Sequence, residues 1–205
     1  MFLCYNKMLI GILQYLKFYF KGARLYLNRE NSLLLIVDFQ EKLAKAMDSQ
    51  KIRGVLALTG ILIKGCKLLN MPIIYTQQYT KGLGLTVDVL KRELEGDAIE
   101  KVSFSCWEDA KFRESLVMYN VKNIIIVGME THICVLQTAL DLLEQHYAVT
   151  VAADATISRN YFDYQIALDF LFKNSVNILT VEAILFGLIK TKDDPLFKEI
   201  SLLIK

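Results

Sequence analysis

The chain has 205 residues and a mass of 23.5 kDa, enough for one domain with a full core, and its 54% hydrophobic content excludes a disordered protein. Lys and Arg total 24 against 22 Asp and Glu, a formal charge of +2 with no long run of either sign, which argues against nucleic acid as a partner. Four scattered cysteines (Cys4, Cys66, Cys106, Cys134) form no C-x-x-C pair, and reduced thiols in a cytoplasm fit them better than a disulfide framework or a structural zinc site.

Residues 1–30 stand apart. Their longest uncharged run, Met8 to Leu16, is too short to span a bilayer, so no integral membrane span is expected there. Ile12, Leu13, Leu16, Tyr19 and Phe20 share one helical face, with Gln14, Lys17 and Lys21 opposite. The segment reads as an N-terminal extension, either poorly ordered or an amphipathic helix for a membrane surface or partner, or else as upstream sequence from a misassigned start. The folded domain is expected over 31–205.

Asn31 to Asp38 (NSLLLIVD) is an all-apolar run ending in a carboxylate, as suits a strand buried on both faces of a parallel sheet. Asp38 then either caps a helix over Phe39 to Leu43 or stands at the carboxyl edge of the sheet, where ligands bind. Val55, Leu58, Leu62 and Leu69 predict a helix over Ile52 to Leu69, stopped by Asn70-Met71-Pro72, and Ile73 to Thr76 a strand. Gln77 to Thr86 reads as a surface loop near the active edge; Gly82 and Gly84 make no nucleotide fingerprint. Ala98 to Ser105 is strand-like and carries Lys101, whose apolar neighbours Ile99 and Val102 point to partial desolvation and pairing with a carboxylate. A helix from Cys106 to about Tyr119 follows. Phe104 and Trp107 are candidate aromatic walls, or core.

Asn123 to Gly128 is the next buried strand, with Thr131 as a candidate N-cap and a helix marked by Leu136, Ala139, Leu140 and Leu143. Cys134 falls in the first turn, where unpaired N–H groups and partial positive charge lower a thiol from its free value of about 8.5 and stabilise an oxyanion. The same cysteine is equally readable as a small buried hydrophobe. Strands at Ala148 to Ala152 and Val176 to Thr180, with helices at Phe162 to Lys173, Val181 to Gly187 and Asp194 to Ile204, complete the alternation; Pro195 is expected in the last helix's first turn. This rhythm predicts a three-layer α/β/α sandwich around a mostly parallel sheet of about six strands, Rossmann-like in its winding. Phe162, Leu168, Phe170, Leu171, Phe172, Ile184, Leu185, Phe186, Leu188 and Ile189 exceed what one sheet face covers, and the mean hydropathy is +0.33, so a homo-oligomer, dimer or higher, is expected.

Asp38, Lys101 and Cys134 each end or follow a predicted parallel strand, so a base, a cation and a nucleophile meet at one edge. With LLLIVDFQEKL (Leu33 to Leu43), EKVSFSCW (Glu100 to Trp107) and VGMETHICVLQTALDLLEQHYAVTVAADATISR (Val127 to Arg159), the chain strongly resembles the isochorismatase-like cysteine hydrolases, the superfamily of nicotinamidases and N-carbamoylsarcosine amidases, from about residue 31 onward. The nearest likeness is to its small metal-free subgroup. The resemblance implies Cys134 as nucleophile, Asp38 as general base and Lys101 as supporting cation. It also implies a cis peptide between Met129 and Glu130 and an oxyanion hole from the backbone N–H groups of Glu130 and Cys134. Phe39, Phe104, Trp107 and Thr131 are the expected pocket walls. The implied reaction is hydrolysis of an amide, carbamoyl or ureido bond of a small molecule through a thioester, without a cofactor.

Departures narrow this. Only His132 and His146 are present, so the D-x-H-x-H cluster of metal-dependent nicotinamidases is missing and no metal site is expected. Cys134 argues against vinyl-ether cleavage. Gln77 and Thr80 stand where Glu and Pro are expected in this subgroup. The competing readings are a catalytically silent oligomeric scaffold of the same fold and a redox-active thiol protein.

Overall fold

The computed structural model describes residues 27–205; the expectations for the first 26 residues, Cys4 included, lie outside them. Leu27 is buried in the core, Asn28 caps a short 3-10 turn at Arg29–Asn31, and Arg29 pairs with Asp194 at 2.9 Å.

Six strands form one sheet among the described residues: β1 (Ser32–Val37), β2 (Ile73–Gln78), β3 (Ile99–Lys101), β4 (Asn123–Met129), β5 (Ala148–Ile157) and β6 (Asn177–Leu179). Their order is β3-β2-β1-β4-β5-β6 and every neighbouring pair is parallel. The winding reverses between β1 and β4, and such a switch point opens a crevice beyond the carboxyl ends of the two strands. Asp38 follows β1 and the Cys134 segment follows β4.

The period-two alternation of β1 divides the core. Leu34 and Ile36 pack with Leu62 of α2 (Ser49–Leu68), Ile184 and Leu185 of α8 (Val181–Ile189) and Ile200 of α9 (Phe197–Ile204). Leu33, Leu35 and Val37 face the other layer, meeting Phe112 of α5 (Ala110–Tyr119), Leu142 of α6 (Leu136–Glu144) and Leu171 of α7 (Tyr161–Lys173). Three short helices, α1 (Glu41–Ala46), α3 (Thr80–Leu83) and α4 (Asp88–Lys91), belong to the connections. Strand β1 crowds Gly128 of β4: a Cβ there would lie 2.2 Å from the Val37 carbonyl oxygen, and its φ is +141°. Only glycine fits.

Several expectations are corrected. The apolar surplus expected on both late helices is confined to α7, where Phe162 and Phe172 are 67% and 69% exposed; α8 is buried between α2 and α9, with Ile184, Leu185, Leu188 and Ile189 all in the core. Leu171 is buried as well. The final helix starts at Phe197, so Pro195 precedes it, and Asp194 accepts the Leu196 N–H while pairing with Arg29. Cys106–Glu108 is a separate 3-10 turn, because Asp109 caps α5 through Lys111 N and Phe112 N. Strand β5 runs on to Ile157, past a register shift opposite Ile126 and Gly128.

Candidate active site

Asp38 leaves β1 with φ +50° and does not cap α1, whose N-cap position is Gln40. Its Oδ2 accepts the Lys101 ammonium at 2.7 Å and its Oδ1 accepts the Thr76 hydroxyl at 2.8 Å. Both charged side chains are 0% exposed. Lys101 ends β3, and its remaining donors go to the carbonyls of Ser103 (3.0 Å) and Phe104 (2.9 Å). All three ammonium hydrogens are thus used, the condition under which a buried ion pair is tolerated. Burial pulls the Lys101 ammonium down, but the Asp38 carboxylate beside it works the other way, leaving Lys101 above its ordinary value and charged.

Cys134 is 3% exposed and stands in a π turn, Thr131–Val135, that precedes α6. Burial pushes its thiol far above the ordinary range, Asp38 raises it further, and Lys101 opposes them. Desolvation and the neighbouring carboxylate thus both work against the thiolate expected from a helix end.

The segment before Cys134 is anchored to the end of β5. Met129–Glu130 is a cis peptide, as the resemblance implies. The buried Glu130 carboxylate accepts Arg159 N at 2.9 Å and Arg159 Nε at 3.0 Å, and His132 Nδ1 lies 2.9 Å from Ser158 Oγ. Thr131 is not a cap; Glu130 holds that position without a side-chain bond, and the enclosed Thr131 hydroxyl has no hydrogen-bond partner.

The four expected pocket walls are placed unequally. Phe104 is 53% exposed beside Lys101, and Trp107 packs against Tyr147 with the Arg113 guanidinium over its ring. Thr131 is enclosed at the π turn, whereas the Phe39 ring belongs to the core cluster beneath α2 and presents no face to solvent.

The segment expected as a loop from Gln77 contains the residues that sequence reasoning missed. β2 continues through Gln78. Gln77 Nε2 donates to Thr86 Oγ1 at 2.7 Å, and Gln78 Oε1 lies 3.8 Å from Cys134 Sγ, accepting its S–H. Thr76 and Gln78 both stand at the carboxyl end of a parallel strand, the argument that singled out Asp38; applied to β2 it finds them too. Among the described residues no three His, Cys, Asp or Glu side chains gather as metal ligands, and no helix is long and apolar enough to cross a membrane.

A family profile described as an isochorismatase domain matches residues 32–183. The chain is 38% identical over 179 residues to isochorismatase family protein 1A of Dictyostelium discoideum, spanning 85% of this chain and 86% of that one. It is 32% identical over 179 residues to isochorismatase domain-containing protein 1 of Danio rerio, where the match spans 87% of this chain and 62% of the relative's length. A solved structure described as the MAR1 ribonuclease of Caenorhabditis elegans shares the fold at a TM-score of 0.81 and 37% identity, covering 89% of this chain and 92% of that one. The YcaC product of Escherichia coli, described as an octameric hydrolase of unknown specificity, has a TM-score of 0.81 at 22% identity, covering 90% of this chain and 91% of its own, a likeness of fold alone.

Proposed function

The chain belongs to the isochorismatase family of hydrolases, and from that premise we propose that it is a metal-independent cysteine hydrolase cleaving a C–N bond of a small amide, carbamoyl or ureido compound. The observation that carries this reading is the fully buried Asp38–Lys101 pair, 2.7 Å apart, in the same crevice as the buried Cys134 thiol. A neutral thiol needs a base at the moment of attack, and a buried carboxylate whose charge is held by an ammonium supplies one.

In this mechanism Cys134 Sγ attacks the carbonyl carbon as its proton passes to Asp38. The carbonyl oxygen becomes an oxyanion received by the backbone N–H groups of Glu130 and Cys134. The C–N bond breaks, the nitrogen takes the proton from Asp38 and leaves as ammonia or an amine, and a thioester remains. Water then loses a proton to Asp38 and attacks the thioester; the acid leaves and the proton returns to sulfur. Lys101, 2.7 Å from Asp38 Oδ2, holds the carboxylate in place between the steps. A panel of small primary amides, carbamates and ureas tests this by release of ammonia or amine: the expected result is turnover of at least one member by the wild type and none by Cys134→Ala. Equal release by both proteins would refute it.

The name of the Caenorhabditis elegans neighbour favours a second reading, RNA cleavage with Asp38 as base. That reading expects cleavage of RNA to survive Cys134→Ala and to be lost in Asp38→Asn. We also propose a homo-oligomer, dimer or larger, formed through α7, where Phe162, Ile166 and Phe170 recur four residues apart and are all exposed. Light scattering at micromolar concentration is expected to give at least twice the chain mass, and a monomer mass would end the proposal.

A further inference from the structure

Gln78 is the last residue of β2, and its position is fixed from both sides of the backbone. Its N–H donates to Gln40 Oε1 at 2.7 Å, and Gln40 Nε2 returns a bond to the Gln78 carbonyl at 3.0 Å while also holding the Gly84 carbonyl at 2.7 Å. The side chain is fixed as firmly. Gln78 Nε2 donates to the carbonyls of Val102 and Ser103, each at 3.2 Å, just beyond Lys101. Both amide hydrogens are therefore spoken for, and turning the carboxamide over would set Oε1 against two carbonyl oxygens. Oε1 is left facing Cys134 Sγ at 3.8 Å.

A fixed acceptor beside a nucleophile has a definite chemical consequence. A carboxamide oxygen is not basic enough to take the thiol proton, so Asp38 remains the base. Nor can it favour the developing oxyanion, because it presents negative partial charge. The one substituent on a reacting carbonyl carbon that gains from such a neighbour is an N–H. On the cysteine-hydrolase reading above, on which this inference rests, we propose that Gln78 is a specificity-determining residue that accepts an N–H of the substrate's amide nitrogen. It thereby orients the carbonyl oxygen away from itself and selects amides over esters of the same acid. When substrate enters, the acceptor exchanges the weak S–H bond for the stronger N–H bond, and the thiol is released toward Asp38. An ester would instead set its alkoxy oxygen against Oε1, leaving a buried acceptor unpaired and two lone pairs opposed. A site built around a hydrogen bond rejects the analogue that lacks it more strongly than an apolar pocket rejects a size change.

The test uses two alkylating probes that differ only in this group, iodoacetamide and methyl iodoacetate, with labelling of Cys134 followed by peptide mass spectrometry at pH 8. The ratio of the two rates cancels the thiolate fraction, and glutathione supplies the intrinsic ratio. The expected result is a ratio favouring iodoacetamide roughly tenfold over that of glutathione, the size of one good hydrogen bond. In Gln78→Met, which lacks the amide acceptor, it is expected to fall to the glutathione value. A purely structural role for Gln78 would slow both reagents equally and leave the ratio unchanged. A wild-type ratio equal to that of glutathione would overturn the inference while leaving the hydrolase reading intact, and that comparison requires no variant to fold. Labelling of Cys134 by neither reagent would overturn the inference alone, since no amide N–H would then reach the Gln78 acceptor beside the sulfur.

Discussion

The two walls of the crevice are built on opposite terms. On the side of β1, β2 and β3 the polar groups form a saturated network: Asp38 holds Lys101 and Thr76, and Lys101 and Gln78 are each bonded to the carbonyls that follow β3. On the side of β4 the reacting groups are unspent. The Cys134 thiol, pushed up by burial, meets Gln78 Oε1 at a long 3.8 Å, and the enclosed Thr131 hydroxyl has no partner. One wall holds its charges rigidly and the other is left to be completed by a ligand, a division expected where preorganised electrostatics must act on an incoming group.

The largest effect should come from breaking the saturated wall. Lys101→Met leaves Asp38 as a buried carboxylate without its cation, and removal of one partner from such a pair costs about 3 to 5 kcal/mol. Chemical denaturation should show a loss of that size, whereas Cys134→Ala should change stability far less. Similar losses for both would mean the walls are not different in kind.

Alkaline titration sharpens the contrast. Burial raises Cys66 to about 12 and Cys106 to about 11 from an ordinary value of 9.0, and Cys134 is raised as well. The folded chain therefore keeps protons that the unfolded chain has already lost, so stability is unaffected below about pH 9 and falls as the pH rises above it. Each thiol contributes a slope of roughly 1 kcal/mol per pH unit. Cys106→Ala should reduce the slope by that amount between pH 9 and 11, and an unchanged slope would count against burial as the cause. Lys101, also raised, adds to the decline above its own unfolded value of 10.5.

The smallest effect belongs to the open wall. Thr131→Val removes an unpartnered buried hydroxyl and should be neutral or stabilise by about 1 kcal/mol, while weakening turnover if that hydroxyl meets substrate. A clear destabilisation would show that the hydroxyl has a partner in solution.

Sequence periodicity located the sheet because parallel strands buried on both faces are continuous apolar runs, and Ser32–Val37 and Asn123–Met129 are nearly unbroken. Asp38 and Lys101 were legible as polar residues at the ends of such runs. Thr76 ended a predicted strand but was not singled out there, and Gln78 was not legible, because QQ followed by a glycine-rich stretch has the composition of a loop. The burial of α8 was hidden for a related reason. A helix apolar on every side has no stripe to read, and whether it lies inside or faces a partner depends on α2 and α9, which cover it from elsewhere in the chain. The upward push on the Cys134 thiol was hidden too, since local position gives the helix end but not the depth of burial or the carboxylate beside the sulfur.

In the proposed reaction Cys134 and Asp38 act as one unit, and acid-quenched intact-protein mass spectrometry during turnover of a small amide tests this most directly. The predicted result is an acyl mass on Cys134 in the wild type that is absent from both Cys134→Ala and Asp38→Asn. Turnover without any covalent adduct, persisting in Cys134→Ala, would contradict it.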